Sequence, residues 1–179
     1  MTSITHPLRI NAVEAVGGGL IGMTLCPGKK QKSGMNGEWD RDLDLDLEVI
    51  RAWGAVAVVT LMEEHELATY KVQRLGEKVQ ALGMEWYHLP IRDADVPGAG
   101  FEALWARSGP VLRQHLKHGS RILLHCRGGL GRTGMIAARL LAELGVPPRE
   151  AVAAVRKARQ GAIETSAQDR HVSKITPVM

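Results

Sequence analysis

Residues 121–134 read RILLHCRGGLGRTG, an aliphatic segment that passes through one cysteine into a glycine-rich loop. The aliphatic part, residues 121–125, is typical of a strand that is buried on both faces of a sheet. From Thr133 to Leu144 apolar side chains recur at helical spacing, and Gly145 lies beyond their end. A buried strand followed by a short loop and a helix is the repeating unit of α/β sheets, so this stretch decides the fold class.

Strands and helices alternate along the rest of the chain. Further strands are predicted at residues 20–25, 55–61 and 84–89, and further helices at residues 41–54, 68–82, 101–116 and 147–158. The third of these helices is expected to be interrupted or bent around Gly109-Pro110, and the polar residues 29–40 are expected to form a loop. We therefore predict an α/β fold with a central, mainly parallel sheet flanked by helices, in which residues 1–179 form a single domain.

The composition is that of an ordinary globular domain. Of the 179 residues, 45% are hydrophobic and 23% are charged, which excludes disordered, collagen-like and coiled-coil chains. The net charge of +4 comes without a basic stripe, so we expect no nucleic-acid partner. No segment is apolar for long enough to span a membrane, and residues 1–7 lack the pattern of a signal peptide. Two cysteines make no disulfide framework, and we expect a cytoplasmic protein with reduced thiols and no membrane partner.

The loop between the strand and the helix has the features of an anion-binding site. Gly128, Gly129 and Gly131 allow backbone N–H groups to turn inwards and to approach a ligand closely. The start of the following helix adds further donors and the positive end of the helix dipole. Arg132 can hold two phosphate oxygens with its planar guanidinium, a geometry that lysine cannot reproduce. We name residues 126–132 the phosphate loop, and its predicted phosphate-binding residues are Arg127, Gly128, Gly129, Leu130 and Gly131.

Cys126 stands at the end of the strand and is the predicted nucleophile of a phosphoryl transfer. The inward N–H groups, the helix start and the guanidinium of Arg132 all favour the thiolate over the thiol. Thr133 can direct its hydroxyl group at the sulfur and stabilise it when it becomes a leaving group. His125 is expected to orient the loop by hydrogen bonding rather than to act as a base. Cys26 is interpreted as an inert turn residue, and the alternative is that it is a redox partner of Cys126.

A nucleotide-binding interpretation explains this stretch less well. Gly129, Gly131 and Gly134 match the dinucleotide fingerprint formally, but a helix start and not a strand-ending acidic residue follows about 20 residues further on. The Gly-Lys-Ser/Thr ending of a nucleotide-binding P-loop is absent. Neither motif explains a cysteine followed six residues later by an arginine, whereas a phosphoryl-transfer nucleophile does. The polar cluster Glu63–Glu66 is interpreted as a helix start and not as a metal site.

The motif Cys-x5-Arg-Thr at residues 126–133, preceded by His125, resembles the signature of the cysteine-dependent protein tyrosine and dual-specificity phosphatases. Its form HCxGGLGR is most similar to the kinase-associated phosphatase branch, which is named for its cyclin-dependent kinase partner. The resemblance extends in the same order from about residue 16 to about residue 172, through residues 18–22 with 27–28, residues 90–93, and residues 161–165 with Gln168. It implies a dual-specificity-phosphatase-like fold and a phosphorylated protein as substrate, with phosphotyrosine first and phosphoserine or phosphothreonine as further candidates.

The resemblance also implies roles for residues outside the phosphate loop. A general acid is expected from an upstream loop, and the match at Pro90-Ile91-x-Asp93 points to Asp93, with Asp95 as the main alternative. A carboxylic acid on such a loop can protonate the departing oxygen. Gln168 is implied to position the hydrolytic water, and Glu164 to support its turn.

We interpret the chain as a phosphatase that needs no metal ion and no cofactor and that works through a cysteinyl-phosphate intermediate. Three alternatives stay open at this point. The first is a binding module that holds phosphopeptides without turnover, and the second is an enzyme that acts on phosphoinositides or other small phosphate esters. The third is a rhodanese-like or arsenate-reducing enzyme, which would leave the sequence at residues 131–134 and the loop of Asp93 unexplained.

Overall fold

The computed structural model describes residues 1–179, which form seven strands and seven helices. The strands are β1 (Asn11–Glu14), β2 (Leu20–Thr24), β3 (Lys30–Gly34), β4 (Gly37–Asp40), β5 (Ala55–Thr60), β6 (Glu85–His88) and β7 (Arg121–His125). The helices are α1 (Leu43–Trp53), α2 (Glu64–Thr69), α3 (Leu75–Ala81), α4 (Ala99–Lys117), α5 (Gly131–Glu143), α6 (Pro148–Ala158) and α7 (Ser166–Ser173). None of the helices combines the length and the apolar composition that crossing a bilayer requires.

Five of the strands form a central sheet in the order β1-β2-β7-β5-β6. β1 runs antiparallel to β2, whereas all other neighbours in this sheet are parallel. The predicted α/β fold with a mainly parallel sheet flanked by helices is therefore confirmed. A hydrophobic cluster of 42 buried residues, drawn from the central strands and from the helices, forms the core.

β7 lies in the middle of the sheet, and its last residue marks the edge from which the phosphate loop leaves the sheet. Its last residue, His125, is in register with Thr24 of β2 and with Thr60 of β5. Because these three strands are parallel, the segments that follow them leave the sheet at the same edge. In open α/β sheets this edge is where ligands bind.

Most of the predicted elements agree with the structure. The predicted strands correspond to β2, β5, β6 and β7, and three of the predicted helices correspond to α1, α5 and α6. Asp42 caps the start of α1, since its side chain accepts a hydrogen bond from the N–H of Leu45, and Gly54, with a φ of 96°, caps its end. The sequence does not predict β1 and α7, which are short and largely polar.

The prediction of a loop at residues 29–40 is wrong, because β3 and β4 form an antiparallel hairpin there. The hairpin lies outside the central sheet and most of its side chains are exposed, so no apolar alternation marks it in the sequence. Contacts between side chains hold it instead. Lys30 Nζ lies 2.5 Å from a carboxylate oxygen of Asp40, and the ammonium group of Lys29 lies 4.1 Å from the centre of the Trp39 ring.

The prediction of a single helix at residues 68–82 is also wrong. The chain forms α2 and α3, which are separated by a turn in which Lys71 has a φ of 60°. Val72 and Leu75 are buried nonetheless. The apolar spacing therefore continues across a break in the backbone, and spacing alone does not reveal the break.

Of the two possibilities predicted at Gly109-Pro110, an interruption or a bend, the interruption is wrong, because α4 is continuous through both residues. A proline inside a helix removes one backbone hydrogen bond and crowds the preceding turn. α4 tolerates this because Trp105 and Leu112, on either side of the proline, are buried in the core. Gly109 also leaves room for the indole, since a Cβ at this position would lie 2.8 Å from Nε1 of Trp105.

A polar cluster joins α4, α5 and α7. The guanidinium of Arg139 on α5 donates to Glu102 of α4 at 2.7 and 2.9 Å and to Glu143 of its own helix at 2.9 Å. Its Nη1 also lies 3.4 Å from Nε2 of His171 on α7. Burial, assisted by Arg139, lowers the pKa of His171. We name these four residues the Arg139 cluster, and it holds three helices in one arrangement.

Candidate active site

The segments that follow β2, β5 and β7 meet around Cys126, the residue directly after β7. Cys126 is 3% exposed, and its sulfur accepts a hydrogen bond from the backbone N–H of Gly129 at 3.2 Å. Gly129 has a φ of 71°, and a side chain on it would overlap the backbone of Thr24 in β2. Glycine is therefore required at this position for the loop to curl around the sulfur.

The carbonyl groups at the outside of the phosphate loop are bonded to other parts of the chain. The carbonyl of Arg127 accepts a hydrogen bond from the N–H of Cys26 at 3.1 Å. The carbonyls of Gly128 and Gly129 accept hydrogen bonds from the guanidinium of Arg159, which follows α6. Because the C=O and N–H groups of a trans peptide point in opposite directions, outward carbonyls turn the N–H groups to the inside of the loop, where that of Gly129 donates to the sulfur.

The end of the phosphate loop is the start of α5. Leu130 is the residue before the helix, and its carbonyl accepts the N–H of Gly134 at 2.9 Å. Gly131, Arg132 and Thr133 form the first turn, so the helix N-terminus adjoins the anion site. Oγ1 of Thr133 is buried and makes no hydrogen bond. Its role toward the sulfur stays a prediction.

Arg132 is fixed beside the phosphate loop by a buried ion pair. Its side chain is 1% exposed, and its Nη1 and Nη2 donate to the two carboxylate oxygens of Glu66 at 2.7 and 2.9 Å. Nη1 also donates to the carbonyl of Ile91 at 2.9 Å. Burial by itself lowers the pKa of Arg132, but the hydrogen bonds to Glu66 and the nearby groups of Cys126, Glu66 and Asp93 together outweigh it and raise the pKa. No protein acceptor is bonded to Nε–H, which leaves this donor for an anion.

Glu66 belongs to the site although the sequence gives no sign of this. The interpretation of Glu63–Glu66 as a helix start is confirmed, since Glu63 and Glu66 form a capping box at the beginning of α2. The carboxylate of Glu66 also holds Arg132, which is 66 residues further along the chain. Burial raises the pKa of Glu66, but its hydrogen bonds and the positive charge of Arg132 together outweigh burial, and the pKa is lowered. Only the tertiary structure reveals this second role.

Asp93 contacts two arginines of the phosphate loop, whereas Asp95 bonds to its own backbone. One carboxylate oxygen of Asp93 lies 3.1 Å from Nη2 of Arg132, and the other lies 3.4 Å from Nη1 of Arg127. The carboxylate of Asp95 accepts the N–H of the next residue at 2.8 Å. We name residues 93–98 the acid loop. Its geometry favours Asp93 over Asp95 as the acidic group of the site.

Gln168 is fully buried beside the phosphate loop. Its Oε1 accepts the N–H groups of Glu164 at 3.0 Å and Thr165 at 3.2 Å, and its Nε2 donates to the carbonyl of Asp95 at 3.3 Å. A Cβ on Gly131 would lie 3.1 Å from both polar atoms of this amide. Gln168 therefore joins the acid loop, the phosphate loop and the start of α7.

His125 lies under the phosphate loop in a chain of hydrogen bonds. Its Nε2 is 2.7 Å from the hydroxyl oxygen of Thr60, which also accepts the indole N–H of Trp86 at 2.9 Å. Its Nδ1 is 3.4 Å from the carbonyl of Cys126. Burial lowers the pKa of His125 to about 4, so the ring is neutral at neutral pH. A neutral ring bonded at both nitrogens is suited to orienting the loop.

Two further residues of the sequence hypothesis lie close to the nucleophile. Arg127 is half exposed, and the neighbouring Tyr70 hydroxyl raises the pKa of this arginine. Cys26 is fully buried, its thiol lies 3.5 Å from the carbonyl of Pro27, and burial raises the pKa of the thiol. Both cysteines are free. A buried thiol of raised pKa is a poor nucleophile, in line with an inert turn residue.

This arrangement suits the transfer of a phosphoryl group to sulfur and then to water. A comparison with family models agrees, since residues 33–145 match the family described as "Polymorphic toxin system, DSP-PTPase phosphatase". The chain belongs to this family of dual-specificity and tyrosine phosphatases. It is a cysteine-based phosphatase.

Individual relatives place the chain within this class. Cyclin-dependent kinase inhibitor 3 of Rattus norvegicus is 32% identical over 151 residues, which span 83% of this chain and 68% of the relative. The protein of the same name from Homo sapiens is 31% identical with the same coverage. A solved structure of kinase associated phosphatase, with serine in place of its catalytic cysteine, has a TM-score of 0.80 and 28% identity over 93% of this chain and 92% of that chain. The resemblance to the kinase-associated phosphatase branch is confirmed.

Proposed function

We propose that the protein hydrolyses phosphotyrosine in phosphorylated proteins, with phosphoserine and phosphothreonine as further substrates, through a covalent intermediate on Cys126. The observation that carries this proposal is the hydrogen bond from the Gly129 N–H to the sulfur of Cys126. It places the sulfur inside a loop of inward N–H groups. The same donors can stabilise an anionic sulfur and the oxygens of a transferring phosphoryl group.

In the first proposed step the sulfur of Cys126 attacks phosphorus in line with the departing oxygen. The S–P bond forms while the P–O bond of the ester breaks. The loop N–H groups and Arg132 hold the three equatorial oxygens and offset their charge, so the step uses no metal ion or cofactor. Arg132 offers its Nε–H and the Nη2 that it shares with Asp93, and an arriving phosphate therefore competes with Asp93 for this guanidinium.

Asp93 is the proposed general acid, which gives its proton to the departing oxygen. Its side chain is 45% exposed, and its contacts in the site are ion pairs with Arg127 and Arg132. A phosphate bound to these arginines releases the carboxyl group. The half-exposed side chain can then turn to the ester oxygen, which needs a proton when it leaves.

In the second proposed step a water molecule attacks the phosphorus of the cysteinyl phosphate. The P–O bond to water forms, the P–S bond breaks, and Asp93 accepts a proton from the water. Gln168 is proposed to position this water. Its amide nitrogen carries two N–H donors, of which one is bonded to the carbonyl of Asp95, and the second is left for the water.

We also propose that residues 1–179 form one phosphatase domain that meets phosphorylated proteins in the cytoplasm. One contiguous core of 42 buried residues supports a single domain. The free state of both cysteines supports a reducing compartment, where a nucleophilic thiol persists. The names of the relatives, a cyclin-dependent kinase inhibitor and a kinase associated phosphatase, support a phosphoprotein as the partner.

A panel of substrates tests this proposal. Phosphotyrosine and phosphothreonine peptides, p-nitrophenyl phosphate and a phosphoinositide are compared by kcat/KM, with and without EDTA. We expect phosphotyrosine peptides to exceed the phosphoinositide by at least about tenfold, and we expect EDTA to change nothing. Preference for the phosphoinositide would assign the site to lipids, and tight binding of phosphopeptides without turnover would make the protein a binding module. Loss of activity with EDTA would contradict the mechanism.

A further inference from the structure

Arg159 is the residue that follows α6, and its guanidinium is bonded to the outside of the phosphate loop. Nε donates to the carbonyl of Gly129 at 2.5 Å, and Nη2 donates to the carbonyl of Gly128 at 2.9 Å. Nη1 donates to the side-chain oxygen of Asn11 in β1 at 2.7 Å. All three nitrogens of one guanidinium therefore have an acceptor, and two of these acceptors are consecutive carbonyls of the loop.

The peptide unit between Gly128 and Gly129 connects Arg159 to the nucleophile. Its carbonyl accepts the hydrogen bond from Arg159, and its N–H donates to the sulfur of Cys126 at 3.2 Å. A peptide unit is planar, so an orientation imposed on the carbonyl is imposed on the N–H as well. The next peptide, which carries the carbonyl of Gly129, is fixed in the same way.

The loop needs such a restraint because glycine has little conformational preference of its own. Gly128 and Gly129 are adjacent, and the peptide between them can rotate at low cost in a free chain. Rotation would turn the N–H away from Cys126 and the carbonyl oxygen toward it. The charge-assisted bonds of Arg159 oppose this rotation.

The positive charge of Arg159 also lies close enough to the sulfur for the two groups to interact. Burial lowers the pKa of Arg159, and the neighbouring Cys126 opposes this shift. The guanidinium of Arg159, on the outside of the loop, adds its positive electrostatic potential to that of the N–H groups on the inside. The field and the peptide orientation both favour an anion inside the loop.

We propose that Arg159 is a positioning residue, which holds the two glycine peptides of the phosphate loop so that their N–H groups face Cys126 and a bound phosphoryl group. Asn11 holds Arg159 in turn. This inference deepens the proposed function and rests on it for the catalytic consequence, but the effect on the thiol itself can be measured without any substrate.

The experiment compares Arg159→Ala with Arg156→Ala, a matched control in the last turn of α6. Arg156 also donates to two carbonyls, those of Ala162 and Ile163 at 3.1 Å, and these lie outside the phosphate loop. Alkylation of the thiol by iodoacetamide is followed against pH, and vanadate binding is measured by calorimetry. Arg159→Ala is expected to move the alkylation midpoint upward and to weaken vanadate binding about 10- to 100-fold, the range for losing hydrogen bonds of a charged group. Arg156→Ala is expected to leave both readouts unchanged.

Rescue and a milder variant keep the inference testable if Arg159→Ala is unstable. Guanidinium ion added at millimolar concentration is expected to restore part of the vanadate affinity of Arg159→Ala, since it can occupy the vacated position. Asn11→Ala is expected to shift the alkylation midpoint in the same direction by a smaller amount. If Arg159→Ala has a lower melting temperature but an unchanged alkylation profile and vanadate affinity, Arg159 is only structural and the inference is wrong. If wild-type protein turns over no ester but the alkylation shift is seen, the proposed function fails and the positioning role stands.

Discussion

The phosphate loop and the acid loop face the same substrate but are built in opposite ways. In the phosphate loop Cys126 is 3% exposed, and the outer carbonyls are held by Cys26 and Arg159. In the acid loop Asp93 is 45% exposed, and its contacts are ion pairs that an anion can replace. Donors that stabilise charge work best when they are fixed in advance, whereas a group that delivers a proton has to reach the oxygen that leaves. We therefore call the phosphate loop the preorganised half of the site and the acid loop its movable half.

The largest expected effect comes from Cys126, the proposed nucleophile in the preorganised half. Cys126→Ser is expected to lower kcat by about 10⁴-fold or more, because none of the other groups in the site can take the place of the nucleophile. Binding of vanadate is expected to persist, because the loop N–H groups and Arg132 remain. Steady-state kinetics and calorimetry check both expectations. Substantial turnover in this variant would overturn the assignment of Cys126.

Asp93→Asn removes the proposed proton donor of the movable half and leaves the residues of the phosphate loop unchanged. We expect it to slow esters of basic phenols by about 10²- to 10⁴-fold, the usual contribution of general acid catalysis. Activated aryl phosphates leave as stable anions and are expected to slow much less. The measurement is the dependence of kcat/KM on leaving-group basicity, with Asp95→Asn as the control. If Asp95→Asn alone steepens this dependence, the acid is Asp95.

Glu66→Gln tests whether Arg132 belongs to the preorganised half. The substitution replaces the carboxylate that pairs with the buried guanidinium of Arg132 by a neutral amide, which has only one oxygen acceptor. We expect kcat/KM to fall about 10- to 100-fold because Arg132 is no longer held in its orientation. The free energy of unfolding is expected to fall by about 3 kcal/mol, because a buried charge loses its counter-charge. The control is Glu77→Gln, whose exposed pair with Arg74 should contribute little to either quantity. Unchanged kinetics in Glu66→Gln would show that Asp93 or the substrate itself orients Arg132.

The last expected effect concerns His125 under the phosphate loop, and it is confined to the pH dependence of stability. Its pKa is about 4 in the folded protein against 6.5 for the free side chain. The unfolded chain therefore binds a proton between these values while the folded protein does not, and stability falls as the pH falls from about 6.5 to about 4. The limit of this contribution is about 3 kcal/mol. Urea unfolding at pH 7 and at pH 4.5 measures it, and His125→Asn is expected to lack this part of the pH dependence. Equal pH dependence in both proteins would mean that the folded protein holds a protonated His125.

The sequence locates the phosphate loop because the residues of that loop are contiguous. A nucleophile, its glycines and its arginine are placed by one strand end and one helix start, and both of these leave a local pattern. The central sheet can be predicted for the same reason, since β5 and β7 are continuous aliphatic segments that are buried on both faces. Asp93 can be found only through the resemblance of the segment at residues 90–93.

Residues that reach the site across the fold cannot be found in this way. Glu66 is read from the sequence as a capping residue, which it also is, and nothing local connects it to Arg132. Arg159 is one of 23 basic residues, and only the packing of α6 against the phosphate loop distinguishes it. The hairpin of β3 and β4 is missed for a related reason, because contacts between its polar side chains hold it and the core does not.

The Arg139 cluster has a consequence for the timing of turnover. α4 follows the acid loop, α5 follows the phosphate loop and α7 carries Gln168, and Arg139 is bonded or adjacent to all three. A displacement of α4 from α5 would separate Glu102 from the largely buried Arg139, and breaking such a pair is costly. We therefore expect the three helices to move together. The residues between Ile91, whose carbonyl accepts from Arg132, and Asp95, whose carbonyl accepts from Gln168, are expected to move most freely. We expect the slow motions of the catalytic cycle to be confined to that short segment, where relaxation-dispersion NMR would detect exchange in the acid loop and none in the first turn of α5.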